Sequence, residues 1–420
     1  MMLPESQLTS AGRQLASQVS PESLLQILAA GINPDSDDTA EMEALLRGQI
    51  NWDTVIADSG ILGVQPLLYR HLSQDRLSPY VPQAVLDCLK DAYRKTAMGN
   101  LRFCGFAERL LRVFEEARLR VVLLKGAFLA NWIYRDIALR PMDDIDILCR
   151  REDDRQIRAK LAELGFHQKT VHPSSFHEAF FAVDKGDHLN PFYGSKPLMV
   201  EVHFSIFPNV PHGFQHMDEV WERTVRVPPP TGGPPVTSLA PADLLLYLCL
   251  HLQRHLRYGQ CRLYWFCDIH EVIAHYRDAI EWGELFAMAE RLAVAEQVKP
   301  VLSLLRRFWR SRVPEMEAPV EELDLADLLR KPVVTNREKS QEAVIRGQLY
   351  KLGMLGELPG WRNRAYYLWK LLFPSRENVI SRYRPRSAPA LWLCRLLHPL
   401  VLVKRAVVSL FHNVLSFMRK

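Results

Sequence analysis

No CxxC pair occurs in the chain, and its seven cysteines, at 88, 104, 149, 249, 261, 267 and 394, are odd in number and scattered. Most lie in apolar runs, where a free cysteine behaves as a small hydrophobe. That excludes a disulfide framework and fits reduced core residues of a cytoplasmic protein. The N-terminal residues MMLPESQLTSAGRQ lack a basic stretch followed by an apolar one, so no secretory signal is expected. Long uncharged apolar runs are missing too. The best candidate, Leu391 to Met418, is interrupted by Arg395, Lys404 and Arg405 and contains Pro399. A bilayer span needs about 18–20 uninterrupted residues. Neither an internal repeat of fixed period nor a low-complexity tract is present.

Charge is nearly balanced at +5 over 420 residues, which by itself implies no nucleic-acid partner. Its distribution is uneven. From Trp361 to Lys420 there are twelve Lys or Arg against a single acid, Glu377, and the remainder of the chain is net negative. Few aromatics interleave these basic residues, so specific nucleic-acid reading is not expected. An interfacial helix against anionic lipid is an alternative to a solvated positive face, with Trp392, Leu396, Leu400 and Val403 turned to the membrane. That would place the protein in the cytoplasm with peripheral contact at the inner membrane surface.

Periodicity divides the chain into regions. Residues 1–100 read as helical, with Pro21 at a helix start and Gly31 after its end. Residues 101–207 change character. Phe103, Phe106, Leu110 and Phe114 recur at helical spacing. Val121–Leu124 is a short β-branched run and reads as a buried strand, followed by Lys125-Gly126 and a helix over 127–134. Asp144–Cys149 reads as a second strand, and 152–164 as a helix closed by Gly165. Ser175–Val183 and Leu198–Phe204 read as further strands. Residues 208–240, rich in Pro and Gly, read as a linker; 241–310 as a helical domain; 311–420 as a connection and a basic helical region. The expected class is α+β: a small mixed sheet flanked by helices, with helical regions at both ends.

The residues that point to chemistry lie in the middle region. Side chains at i and i+2 of a strand share a face, so Asp144 and Asp146 project together. Two adjacent carboxylates repel unless a cation neutralises them. Mg²⁺ takes one or two carboxylates and completes its shell with phosphate oxygens. Glu201, on the polar side of Leu198–Phe204, supplies a third carboxylate. It could complete a metal site or accept a proton from an attacking hydroxyl. Gly126 lies where a strand turns into a helix, a place that admits a phosphate. Lys125 and Arg140 could add a point charge and a bidentate clamp to it. His251 and His255, at i and i+4, could share a metal but lack the glutamate of HExxH and read as packed. Asp268 and His270 could line the same cleft.

The stretch LLKGAFLANWIYRDIALRPMDDIDILCRRED resembles the nucleotidyltransferase superfamily, closest to a bacterial branch with a KG…R…DIDLLV pattern. In that branch a later strand reads E-V-H-W; here it is Glu201-Val202-His203-Phe204. LLYLCLHLQRH, RLYWFCDIHEV and Leu372-Phe373-Pro374 resemble its later segments. The resemblance implies Asp144, Asp146 and Glu201 as metal ligands for Mg²⁺ or Mn²⁺. Lys125, Gly126, Ala127 and Arg140 would then bind a nucleoside triphosphate. Many members carry a second glycine or a serine where Ala127 stands, so a hydroxyl contact to phosphate is absent here. The implied reaction transfers a nucleoside monophosphate to an acceptor that is a small molecule, sugar, peptide or protein, in bacterial polysaccharide or specialised-metabolite biosynthesis. Three competitors are a DxD glycosyltransferase, a nucleotide-binding relative without turnover, and a membrane-associated scaffold.

Overall fold

The computed structural model describes residues 19–30, 38–168, 198–207, 213–228, 235–257, 260–316 and 389–401, with shorter pieces between them. One compact unit takes in Met1–Gln168 and Asp187–Val333; a second comprises Lys169–Gly186 and Val334–Lys420. The fold is α+β.

The first unit begins with helices α1 (Pro21–Ala30), α2 (Asp38–Leu46), α3 (Trp52–Leu62) and α4 (Gln65–Leu72). Local signals set their ends. The side chain of Asn51 accepts the Thr54 amide to cap α3, and Gly63 closes it at φ 75°. Pro66 sits in the first turn of α4, where no amide is missed. Leu24, Leu25 and Ile27 bury the inner face of α1. The Ile27 carbonyl accepts the Trp309 indole N–H at 2.6 Å, tying α1 to a residue 282 positions later.

Helix α5 (Gln83–Glu116) is 34 residues long and passes through the expected boundary at residue 100 without a break. Val85, Leu89, Phe103, Ala107, Leu110 and Phe114 form its buried stripe. Strand β1 (Val121–Leu124) follows. Then come a short α6 (Lys125–Phe128) and a π-helical turn over Leu129–Ile133. Next are β2 (Ile145–Cys149), α7 (Asp154–Glu163), β3 (His167–Gln168), β4 (Phe192–Tyr193) and β5 (Met199–His203). The expected strand over 175–183 lies outside the described residues.

The five strands form one mixed sheet in the order β1-β2-β5-β4-β3. β2 runs antiparallel to β1 and parallel to β5, which makes it the central strand of the site. The stretch 208–240, expected to be a linker, carries α8 (Met217–Arg223) and a two-stranded ribbon of β6 (Val225–Val227) and β7 (Val236–Ser238). Buried Met217, Val220 and Trp221 explain why α8 is docked and not free. Among the described residues four longer helices follow: α9 (Pro241–Arg257), α10 (Leu263–Tyr276), α11 (Trp282–Arg291) and α12 (Ala295–Trp309). In the second unit, residues 389–401 are helical.

Candidate metal and nucleotide site

Registry builds the site. Leu124 pairs with Asp146, and Asp146 pairs with Glu201, so one row crosses three neighbouring strands. The next row on the same face brings Leu148 beside His203. Ile145, Ile147, Val200 and Val202 alternate to the opposite face and are buried. The apolar face anchors the sheet, which holds the acidic face in place.

Asp146 is the hub. Its side chain is only 2% exposed, and Oδ1 receives both Lys125 Nζ at 2.7 Å and His203 Nε2 at 2.8 Å. Burial would raise its pKa, but the Lys125 charge and His203 overcome this and hold the carboxyl well below its usual range. Burial would likewise lower the Lys125 pKa; the Asp146 charge beside it wins, and the ammonium is held above its usual range. Lys125 adopts φ 38°, the left-handed region, at the junction of β1 and α6. For a residue with a Cβ this costs about 1–2 kcal/mol, and such strain gathers at functional sites. The turn aims the ammonium at Asp146, and the Tyr247 ring of α9 closes over it at 5.9 Å.

Asp146, Glu201 and His203 present one ligand atom each, all within 4.8 Å of one another. Among the described residues this is the one cluster with the composition and spacing of a metal centre. Glu201 is its open side, with a side chain 24% exposed. Asp144 stands just ahead of β2. Burial and then the Asp146 charge push its carboxyl up to about 8. His203 was legible in sequence as sharing a face with Glu201. Its bond to Asp146, on a diagonal across two strands, depends on register and was not.

The other expected site residues lie as follows. Gly126 and Ala127 are buried in α6. A Cβ on Gly126 would come within 2.6 Å of Arg140 Nη1 and 2.9 Å of Met142 Cγ, so the glycine admits these two side chains. Arg140, expected as a phosphate clamp, is committed to Asp268. Its Nη2 donates to Oδ2 at 2.9 Å and its Nε to both oxygens at 3.2 Å. Tyr134 Oη donates to Asp268 Oδ1 at 3.0 Å. Asp268 and His270 are buried inside α10 and do not line a cleft. His270 Nδ1 meets Ser311 Oγ at 2.8 Å. His251 and His255 are packed: their rings stand 4.5 Å apart, and His255 stacks on Trp265 at 4.2 Å. All seven cysteines are free thiols.

A small mixed sheet flanked by helices, with carboxylates side by side on its central strands, is the arrangement of nucleotidyltransferase-type proteins. The family described as "Uncharacterised nucleotidyltransferase" matches residues 48–310, well over half the chain, and the chain belongs to it. That span contains Lys125, Asp144, Asp146, Glu201 and His203. No curated protein and no solved structure matches the chain.

Proposed function

We propose that this protein is a metal-dependent nucleotidyltransferase that passes a nucleoside monophosphate from an NTP to an acceptor group. The observation that carries the reading is the parallel pairing of β2 with β5, whose adjoining rows bring Asp146, Glu201 and His203 within ligand distance inside a nucleotidyltransferase family.

The residues present fit a hard divalent cation. Asp146 and Glu201 offer carboxylate oxygens, and Asp144 is near enough for their negative charges to raise its pKa. Oxygen donors suit Mg²⁺ or Mn²⁺. His203 is bonded to Asp146 Oδ1, and an imidazole in that place orients a ligating carboxylate. A cation bound there would offset charge on the triphosphate as the leaving group departs. Lys125 fixes the rotamer of Asp146 and places positive charge beside the phosphate path. Glu201, the most open of the three, would accept the proton of the attacking hydroxyl. The acceptor oxygen then bonds to the α-phosphorus, the bond from that phosphorus to the bridging oxygen breaks, and pyrophosphate leaves. Lys125, Gly126, Ala127 and Arg140 are assigned to nucleotide binding; for Arg140 the role would be indirect, through the packing of the Gly126 turn. Family membership favours this reading over a DxD glycosyltransferase.

The test is thermal unfolding with each of the four NTPs and Mg²⁺ or Mn²⁺. A ligand at a hundredfold its Kd should stabilise the fold by about 2.7 kcal/mol. The effect should vanish in Asp144→Asn/Asp146→Asn. It should also vanish in Glu201→Gln, which alters a partly exposed side chain and leaves the Lys125–Asp146 pair intact. No metal-dependent shift with any NTP would overturn substrate binding at this site. A shift without pyrophosphate release, in the presence of any acceptor class, would leave a binding protein without turnover.

A further inference from the structure

The helix over 389–401 turns its apolar side outward. Trp392, Leu393, Leu396, Leu397 and Leu400 are 61%, 57%, 63%, 43% and 65% exposed. At 3.6 residues per turn these five positions fall within an arc of about 140°. His398, on the far side of the helix, is buried. Leu391, Cys394, Arg395 and Val401 are half-buried and occupy the flanks of the arc or its opposite side. An ordinary surface helix does the reverse and hides its apolar stripe. A contiguous patch of one tryptophan and four leucines marks a surface that something covers.

Charge decides what covers it. The sixty residues from Trp361 to Lys420 carry twelve Lys or Arg and one acid. Two such segments brought face to face would set like charges together, which disfavours a second copy of this chain as the occupant. An anionic surface with an apolar interior satisfies both features. Arg395 stands at the edge of the stripe with its guanidinium 5.7 Å from the Trp392 ring, an arrangement of cation and indole suited to the headgroup level. The thirteen described helical residues span about 20 Å, and Arg395, Lys404 and Arg405 interrupt the apolar run that a bilayer crossing would need. No helix among the described residues is long and apolar enough to cross one. An exposed apolar face on the 389–401 helix suits the headgroup and acyl boundary of a leaflet.

We infer that the 389–401 helix is a peripheral membrane anchor, with Trp392, Leu393, Leu396, Leu397 and Leu400 inserted into an anionic lipid leaflet, Arg395 at its phosphates and the net positive charge of the segment adding attraction. This segment lies beyond the span that matches the nucleotidyltransferase family, and the inference stands whatever reaction the first unit performs.

Flotation of the full-length protein with phosphatidylcholine vesicles, with or without phosphatidylglycerol, tests it. Binding is expected to the anionic vesicles only, and to weaken as salt rises. Leu396→Glu/Leu400→Glu should lower the partition coefficient about tenfold or more. Leu396→Ala/Leu400→Ala should lower it less, with the melting temperature of both variants at the wild-type value. The proposal is overturned by failure to bind anionic vesicles or by equal binding to neutral ones. It is also overturned by undiminished binding of the glutamate variant, which would reduce the contact to charge alone. A concentration-dependent dimer in place of vesicle binding, abolished by the same substitutions, would assign the face to a second copy.

Discussion

Replacing Arg140 with methionine separates two roles for this residue. Its guanidinium donates three hydrogen bonds of 2.9 to 3.2 Å to Asp268, and both side chains are almost fully buried. Removing the arginine leaves the Asp268 carboxylate in the interior with Tyr134 as its remaining donor. Breaking a buried pair from one side costs about 3–5 kcal/mol, a large part of the roughly 5–15 kcal/mol that holds a domain together. Removing both charges costs far less, because no orphan remains. Urea unfolding of wild type, Arg140→Met, Asp268→Leu and the double variant would measure this. The two single variants should each fall by several kcal/mol. The double variant should recover about 2 kcal/mol or more of their summed loss, at the upper end of ordinary couplings. If Arg140→Met unfolds like the wild type but no longer responds to NTP and metal, the guanidinium acts on phosphate and the structural account of it is wrong.

Glycine substitutions should diverge by position. Gly126→Ala forces a Cβ to within 2.6 Å of Arg140 and should cost about 1–3 kcal/mol in urea unfolding, whereas Gly99→Ala, in open space on α5, should stabilise by about 0.5–1 kcal/mol. Equal effects would refute the packing argument. Acid should act through His71, which burial holds down to about 3 and whose Nδ1 has no hydrogen-bond partner. Between that value and the ordinary 6.5, the unfolded chain binds a proton that the folded one rejects. This contribution therefore disappears as pH falls from about 6.5 to 3, with a ceiling of about 5 kcal/mol. Asp144, raised to about 8, acts in the opposite sense, so the comparison is wild type against His71→Leu. The variant should lose less stability on acidification, and parallel pH curves would refute the assignment.

How much was legible depends on the range of the interaction. β1, β2 and β5 are four or five residues of strongly apolar or alternating sequence, and their pattern alone marks them. β3 and β4 are two residues each, too short for any period. The length of α5 was hidden because the pattern was divided at residue 100, where Gly99 and Gly105 cost a helix only about 1 kcal/mol each. A 34-residue apolar stripe outweighs that. The Pro- and Gly-rich look of 208–240 masked α8, whose Trp221 and Val220 carry too few turns to show a period. At the site, the carboxylates could be read from residue type and strand parity. Partners could not. Lys125 and Asp146 meet through the pairing of β1 on β2, and Arg140 meets Asp268 across 128 residues. Only tertiary structure supplies such pairs, so nothing in the sequence marked Asp268 as the partner of Arg140.

The bond from Trp309 to the Ile27 carbonyl spans 282 residues of sequence. A ribosome adding about 5–20 residues per second would need roughly 15 to 60 s to make that distance. During this interval the Ile27 carbonyl lacks its indole donor, although α1 already has α2, α3 and α4 to pack against. The first described helix is thus seated on its sequence neighbours early and receives this last bond late. The strands that carry Asp146, Glu201 and His203 are all made before Trp309, so the acidic centre has every residue it needs while this carbonyl still waits for its donor.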